Sequence, residues 1–137
     1  MSGLSPSIRL LRDLVAIPSV NPMGRLDLSP DLVGEERVAQ FVADELRRRR
    51  LDVAVLGEGG RTSVLATARA GPGAETVLIA SHLDTVPVDG MEIDPFDPFI
   101  EDDQLHGRGS CDTKSGMAAL LEALGRVLDR GTLARNV

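Results

Sequence analysis

His82 and Asp84 stand two residues apart in SHLDTVPV, and Asp112 stands in GRGSCDTKSG, after a glycine-rich turn and just before an apolar-faced run. In extended backbone, residues i and i+2 point to the same side. His82 and Asp84 can therefore address one point in space. The pair suits either a structural hydrogen bond or a metal ligand backed by the carboxylate that orients it. Asp112 reads either as the cap of the next helix or as a second ligand beside His82, since ligands in open α/β sheets gather at the carboxyl ends of strands.

The neighbouring residues carry weaker signals. Cys111 is a nucleophile only with a base at hand, which His82 or His106 could supply, and the adjacent Asp112 disfavours its thiolate. His106, in QLHGRG, reads as a strand or loop residue rather than a third ligand. A phosphate-loop reading of Gly107 to Gly116 fails, because the Walker spacing ending in Gly-Lys-Ser/Thr is absent and Asp112 would repel phosphate. Lys114 is the only lysine among 15 basic residues. It marks a place where arginine does not substitute, the two side chains being unlike at a shaped site.

These residues need elements to hold them. Ser5-Pro6 followed by Ile8, Leu11, Leu14 and Val15 predicts a capped helix stopped at Ile17-Pro18, and IPSVNPMGRLDLSP predicts a loop. Glu35 to about Arg50 predicts a second helix, with Val38, Phe41, Val42 and Leu46 on one stripe, acids first and arginines last. The Arg47 to Arg50 run is a solvated helix end rather than a nucleic-acid patch. Leu51, Val53 and Val55 alternate as a strand, Gly57 to Gly60 turn the chain, and Ser63 to Ala70 supply a neighbouring strand.

Ala74 to Ala80 predicts a central strand covered on both faces. DGMEIDPFDPFIEDDQL predicts an irregular surface excursion, its Glu101-Asp102-Asp103 run solvated. KSGMAALLEALGRVLDR places Met117, Leu120, Leu121, Leu124 and Val127 at helical spacing, and TLARNV begins a further strand. The order predicts an α/β fold: a three-layer sandwich with a mixed or mostly parallel sheet between helices.

The 137 residues fit one domain, and 42% hydrophobic content suffices for a core. The formal net charge of -6 argues against nucleic acid and anionic membranes as partners. A single cysteine, no apolar run of membrane-spanning length and no leader pattern predict a cytoplasmic protein.

IPSVNP, SHLDTVPV and PFIEDDQLHGRGSCDTKSGMAALLEAL, in that order and over nearly the whole chain, resemble the dinuclear zinc amidohydrolases and metallopeptidases. That family includes acetylornithine deacetylase, succinyl-diaminopimelate desuccinylase, aminoacylase and glutamate carboxypeptidase. The resemblance implies a zinc-peptidase-like catalytic domain with His82 a terminal ligand of one metal, Asp112 the carboxylate bridging two, and Asp84 the active-site acid behind His82. It implies two zinc ions, with cobalt or manganese as substitutes, and hydrolysis of an amide or peptide bond in a small N-acyl amino acid or peptide. A homodimeric parent is compatible with it.

The family's general base is the first of two consecutive glutamates on the strand after the Asp112 helix, a pair that by the family's spacing would lie shortly beyond Val137. Residues 1–137 are therefore expected to be the N-terminal part of the catalytic domain, inactive alone, without the inserted dimerisation domain and the C-terminal part. The competing expectation is a non-catalytic product that binds metal weakly or a partner through its sheet edge. The family often has tyrosine at His106, glycine at Ser115 and a tryptophan before the Pro-Phe element, departures that leave the metal residues in place.

Overall fold

The computed structural model describes residues 3–58 and 61–137. Helix α1 (Pro6–Val15) begins where Ser5 and Pro6 predict, with Ser5 extended and its Oγ accepting from the Ile8 amide at 3.4 Å. Proline at the first helical position gives up no intrahelical hydrogen bond. Helix α2 (Glu36–Arg48) buries Val38, Ala39, Val42, Ala43 and Leu46. Its arginines pair back along the helix, Arg47 with Asp44 at 3.0 Å and Arg49 with Glu45 at 2.7 Å. The basic run is a helix end, as expected.

Helix α3 (Lys114–Asp129) buries Lys114, Met117, Ala118 and Leu121. Leu10, Leu11, Leu14 and Val15 of α1 pack with Val38, Val42 and Leu46 of α2 and with Met117, Ala118 and Leu121 of α3 in one core.

Strands β1 (Asp52–Glu58) and β2 (Arg61–Thr67) pair antiparallel, from Asp52 opposite Thr67 to Glu58 opposite Arg61. Val53, Val64 and Ala66 face the helical core, whereas Leu56 and Leu65 lie exposed on the other side. Gly59 and Gly60 of the expected turn lie outside the described residues. A hairpin of β3 (Phe99–Glu101) and β4 (Gln104–His106) forms where irregular chain was expected. Asp102 and Asp103 both take positive φ, 49° and 60°, which is the turn geometry that suits the twist of two joined strands. Asn-Gly would have announced that turn, and Asp-Asp does not.

Two expectations about the sheet require correction. The stretch 74–80 is extended but is not a central strand. Its only bridge joins Thr76 to Asn136, and Leu78 is 81% exposed. The α/β class stands, but a mixed or parallel sheet between two helical layers does not form among the described residues, whose sheets are two antiparallel pairs.

The reason lies in what stands between β2 and residues 77–83. Val137 exchanges both backbone hydrogen bonds with Ala68, at 2.7 and 2.9 Å, and Asn136 bonds Glu75 and Val77 at 2.9 and 2.8 Å. A cavity of about 560 Å³ lies between the two edges and is lined by residues of both. Without main chain between them no ladder can form.

Residues 19–21 cross beside the extended segment as a strap. Val20 bridges Val33 on one side and Thr85 on the other, both parallel. Asn21 N donates to Thr85 O at 2.8 Å, Thr85 N to Ser19 O at 2.9 Å, and Ser19 Oγ to Leu83 O at 2.8 Å. The strap ties the first loop to the residues just after His82.

Candidate metal centre

Three of the sequence-selected residues meet. His82 Nδ1 lies 3.0 Å from Asp84 O and 3.1 Å from Asp84 Oδ1, and His82 Nε2 lies 3.1 Å from Asp112 Oδ1. His82 and Asp84 turn to one side because the backbone stays extended through Leu83, which packs inward against the core. Asp112 arrives from the turn before α3, across a cis peptide bond to Thr113. It does not cap the helix: Thr113 is the cap residue, and no side chain bonds there.

The electrostatics reflect who faces whom. Burial pushes the His82 pKa down, but hydrogen bonds to the Asp84 carbonyl and to Asp112, with both carboxylates' charges, raise it overall. Burial likewise pushes Asp84 up, and the Asn21 amide with the His82 ring outweighs it and holds Asp84 below the usual carboxylate range. The Asp84 side chain is about one-quarter exposed and that of Asp112 is 82% exposed, so Asp112 is the open side of the site.

Asn21 was not singled out by sequence reasoning. Its side-chain amide donates to Asp84 Oδ2 at 2.7 Å, and its own Oδ1 accepts from Met23 N at 3.0 Å. The signal available was its place in IPSVNP, a polar residue between a helix and a proline. A motif in a loop does not name its distant partner.

Lys114 answers the question its uniqueness raised. It is 1% exposed, and Nζ donates to Leu14 O at 2.9 Å and Ile17 O at 2.7 Å, clamping the end of α1 to the start of α3. Burial first, and the Arg37 charge second, bring its pKa down to about 8. The fork of an arginine does not fit a space where Gly109 already lies against the lysine stem.

The remaining candidates lie apart from this arrangement. His106 stacks on Phe99 with ring centroids 4.9 Å apart, a cross-strand pair within the hairpin. Cys111 is exposed, and no described residue hydrogen-bonds to its sulfur. Among the described residues no three histidine, cysteine, aspartate or glutamate side chains are placed to hold a metal together. His82 and Asp112 are a two-donor arrangement with Asp84 behind it.

Comparison with known proteins finds relatives of one family. Residues 78–137, which contain His82, Asp84 and Asp112, match the model of peptidase family M20/M25/M40. The chain is 35% identical over 136 residues to a succinyl-diaminopimelate desuccinylase of Gluconacetobacter diazotrophicus, covering 96% of this chain and 32% of that one. It is 34% identical over 142 residues to the desuccinylase of Pseudomonas syringae pv. syringae, covering 96% and 34%.

Among solved structures, the M20 family metallo-carboxypeptidase Sso-CP2 of Sulfolobus solfataricus superposes with a TM-score of 0.79 at 25% identity, over 98% of this chain and 30% of that one. Human carnosine dipeptidase 1 superposes with a TM-score of 0.75 at 26% identity, over 95% and 30%. The chain spans about a third of the length of the relatives it matches. The resemblance read from the motifs is thus shown, to part of an M20-type metallopeptidase.

Proposed function

We propose that these residues are the N-terminal part of the zinc-binding catalytic domain of a metal-dependent hydrolase of amide or peptide bonds. His82 and Asp112 hold divalent metal, Asp84 orients His82, and the substrate is a small N-acyl amino acid or peptide. One observation carries the reading. His82 lies between two carboxylates, Nδ1 3.1 Å from Asp84 Oδ1 and Nε2 3.1 Å from Asp112 Oδ1, so in the neutral tautomer with its proton on Nδ1 the bare lone pair of Nε2 faces Asp112.

Two electron-rich atoms held that close need a cation between them. A proton or a metal supplies it. The donor set fits zinc, because bonds of ~2.0–2.2 Å to one tetrahedral ion place an imidazole nitrogen and a carboxylate oxygen a little over ~3 Å apart.

The chain's own residues divide the work. Asp84 fixes the ring tautomer and raises the basicity of Nε2. Asp112, exposed and with a second carboxylate oxygen beside the one that faces His82, can span two cations. A divalent metal, when bound, polarises a carbonyl and acidifies water. The general base and remaining ligands belong to the rest of a longer protein, together with an inserted dimerisation domain.

The relatives' names support the substrate class, since they describe a desuccinylase, a carboxypeptidase and a dipeptidase. The unpaired Cys111 suits the cytoplasm. No helix among the described residues is long and apolar enough to cross a membrane. Two protein donors alone bind metal weakly, so the 137 residues are expected to be inactive by themselves.

The test is zinc titration into the purified chain by calorimetry, beside His82→Ala and Asp112→Ala. Both variants are expected to lose the site. Equal uptake by all three would sink the reading.

A further inference from the structure

Asp112 is placed by something other than its own side chain. Its carboxylate is 82% exposed, and His82 Nε2 is the one hydrogen-bond partner of that carboxylate among the described residues. The two groups belong to separate pieces of chain, residues 82–84 and the turn before α3. They meet at 3.1 Å only if a third group fixes those pieces to each other.

Lys114, two residues on, joins them. Its backbone amide donates to Gly109 O at 3.0 Å, which closes the turn that carries Asp112. Its side chain is buried, and Nζ donates to Leu14 O and Ile17 O. Ile17 leads into the strap. There the buried Ser19 hydroxyl donates to Leu83 O, between His82 and Asp84, and Ser19 O accepts from Thr85 N. One ammonium group thus ties the Asp112 turn to the chain that holds the His82 segment.

Packing follows the same line. Gly109 lies between the lysine stem and Thr85, so close to both that an added Cβ would clash with each. The start of the turn is held separately, Arg108 donating from its backbone to Pro95 O and from Nη2 to Pro87 O. Arg108 is half-buried and four residues from Asp112, whereas Lys114 is buried and two away. Hydrogen bonds from a charged donor are strong, and more so where water is excluded. The Lys114 attachment is the nearer and the better shielded.

We propose that Lys114 is a positioning residue for the candidate metal centre, setting the approach of Asp112 to His82 through Ile17 and Ser19. The inference rests on the proposed function for its consequence in metal binding. With the clamp, the two donors stand together before a metal arrives. Without it, the metal itself must order the Asp112 turn, at a cost in affinity.

The test compares the purified chain with Lys114→Met and with Leu46→Ala. The second is a core truncation at the end of α2 opposite the one where Arg37 bonds Pro18 O. NMR in metal-free buffer follows cross-relaxation between the His82 ring protons and the Asp112 methylene. That signature of their approach is not moved by lost stability alone while the chain stays folded. Wild type and Leu46→Ala are expected to show it, and Lys114→Met to lose it. Zinc titration by calorimetry is expected to give binding weakened about tenfold or more in Lys114→Met alone.

Retention of the signal in Lys114→Met, its absence from wild type, or its equal loss in Leu46→Ala overturns the proposal. So does an unchanged zinc affinity in Lys114→Met where the wild type binds. Should Lys114→Met fail to fold, Ser19→Ala cuts the same line at its other end: loss of the signal there supports the proposal, and a wild-type signal overturns it. A wild-type chain that shows the signal yet takes up no zinc sinks the proposed function and leaves the NMR comparison to decide this inference.

Discussion

Asn21 donates its side-chain amide to Asp84 Oδ2 at 2.7 Å, leaving Asp84 Oδ1 to face His82 Nδ1 at 3.1 Å. The two oxygens of one carboxylate are thereby assigned to two partners, 63 residues apart in sequence in the case of Asn21. A carboxylate held at both oxygens cannot rotate away from the ring it orients. Asn21→Ala is expected to weaken zinc binding about tenfold, the low end of what the loss of an outer hydrogen-bond partner costs a metal site. Calorimetric titration beside wild type measures it, and an unchanged affinity would show that Asp84 needs no help.

The Lys114 clamp should be visible as stability. Lys114→Met keeps the length and removes the donors to Leu14 O and Ile17 O. Leaving a buried carbonyl unpaired costs about 1–3 kcal/mol, and relief from burying an ammonium group offsets part of it. A net destabilisation of about 1–2 kcal/mol in urea unfolding is expected. A variant as stable as wild type would mean that apolar packing of the stem carries the site.

The same lysine gives a pH dependence of definite sign. Its folded pKa is lowered from 10.5 to about 8, so between those values the unfolded chain binds more protons than the folded one. Stability from this group therefore rises as pH climbs from about 8 toward 10.5. Urea midpoints across that range should rise for wild type relative to Lys114→Met.

His82 acts in the opposite direction. Its folded pKa is raised, so the stabilisation from its charged form is complete below the unfolded value and is lost as pH rises through the folded value. The ring is half exposed, so the contribution is small. Zinc competes with that proton, and uptake is expected to strengthen as pH rises through neutrality. Titrations on the acid and alkaline sides of neutrality check the direction, and stronger binding at the lower pH would contradict it.

Gly109 tests the packing of the turn before α3. Its φ is +90°, and an added Cβ would meet Thr85 Cγ2 at 2.9 Å and Lys114 Cδ at 3.0 Å. Gly109→Ala combines left-handed strain of about 1–2 kcal/mol with overpacking of about 1–3 kcal/mol. Loss of roughly 2–4 kcal/mol in urea unfolding is expected, and a loss below about 0.5 kcal/mol would show that the turn rearranges freely.

The helices and the three candidate site residues were legible in the linear chain. Leu11, Leu14, Val38, Val42, Met117 and Leu121 recur at helical spacing, and that periodicity is local, so it can be read without knowing what the stripe packs against. His82 and Asp84 were legible for the same reason, because facing the same way is a property of two residues on one extended backbone. The motifs around Asp112 then carried the family.

Which atoms meet was settled by folding. The Asn21 bond to Asp84, the Lys114 clamp on Leu14 and Ile17, and the approach of Asp112 to His82 join residues far apart in the chain. No local pattern encodes such pairs. The apolar run Val77-Leu78-Ile79 shows the same limit from the other side. Its composition states that it is fit to be buried in a sheet, but burial and pairing require a neighbouring strand, and among the described residues the bridge beside it is the single one from Thr76 to Asn136.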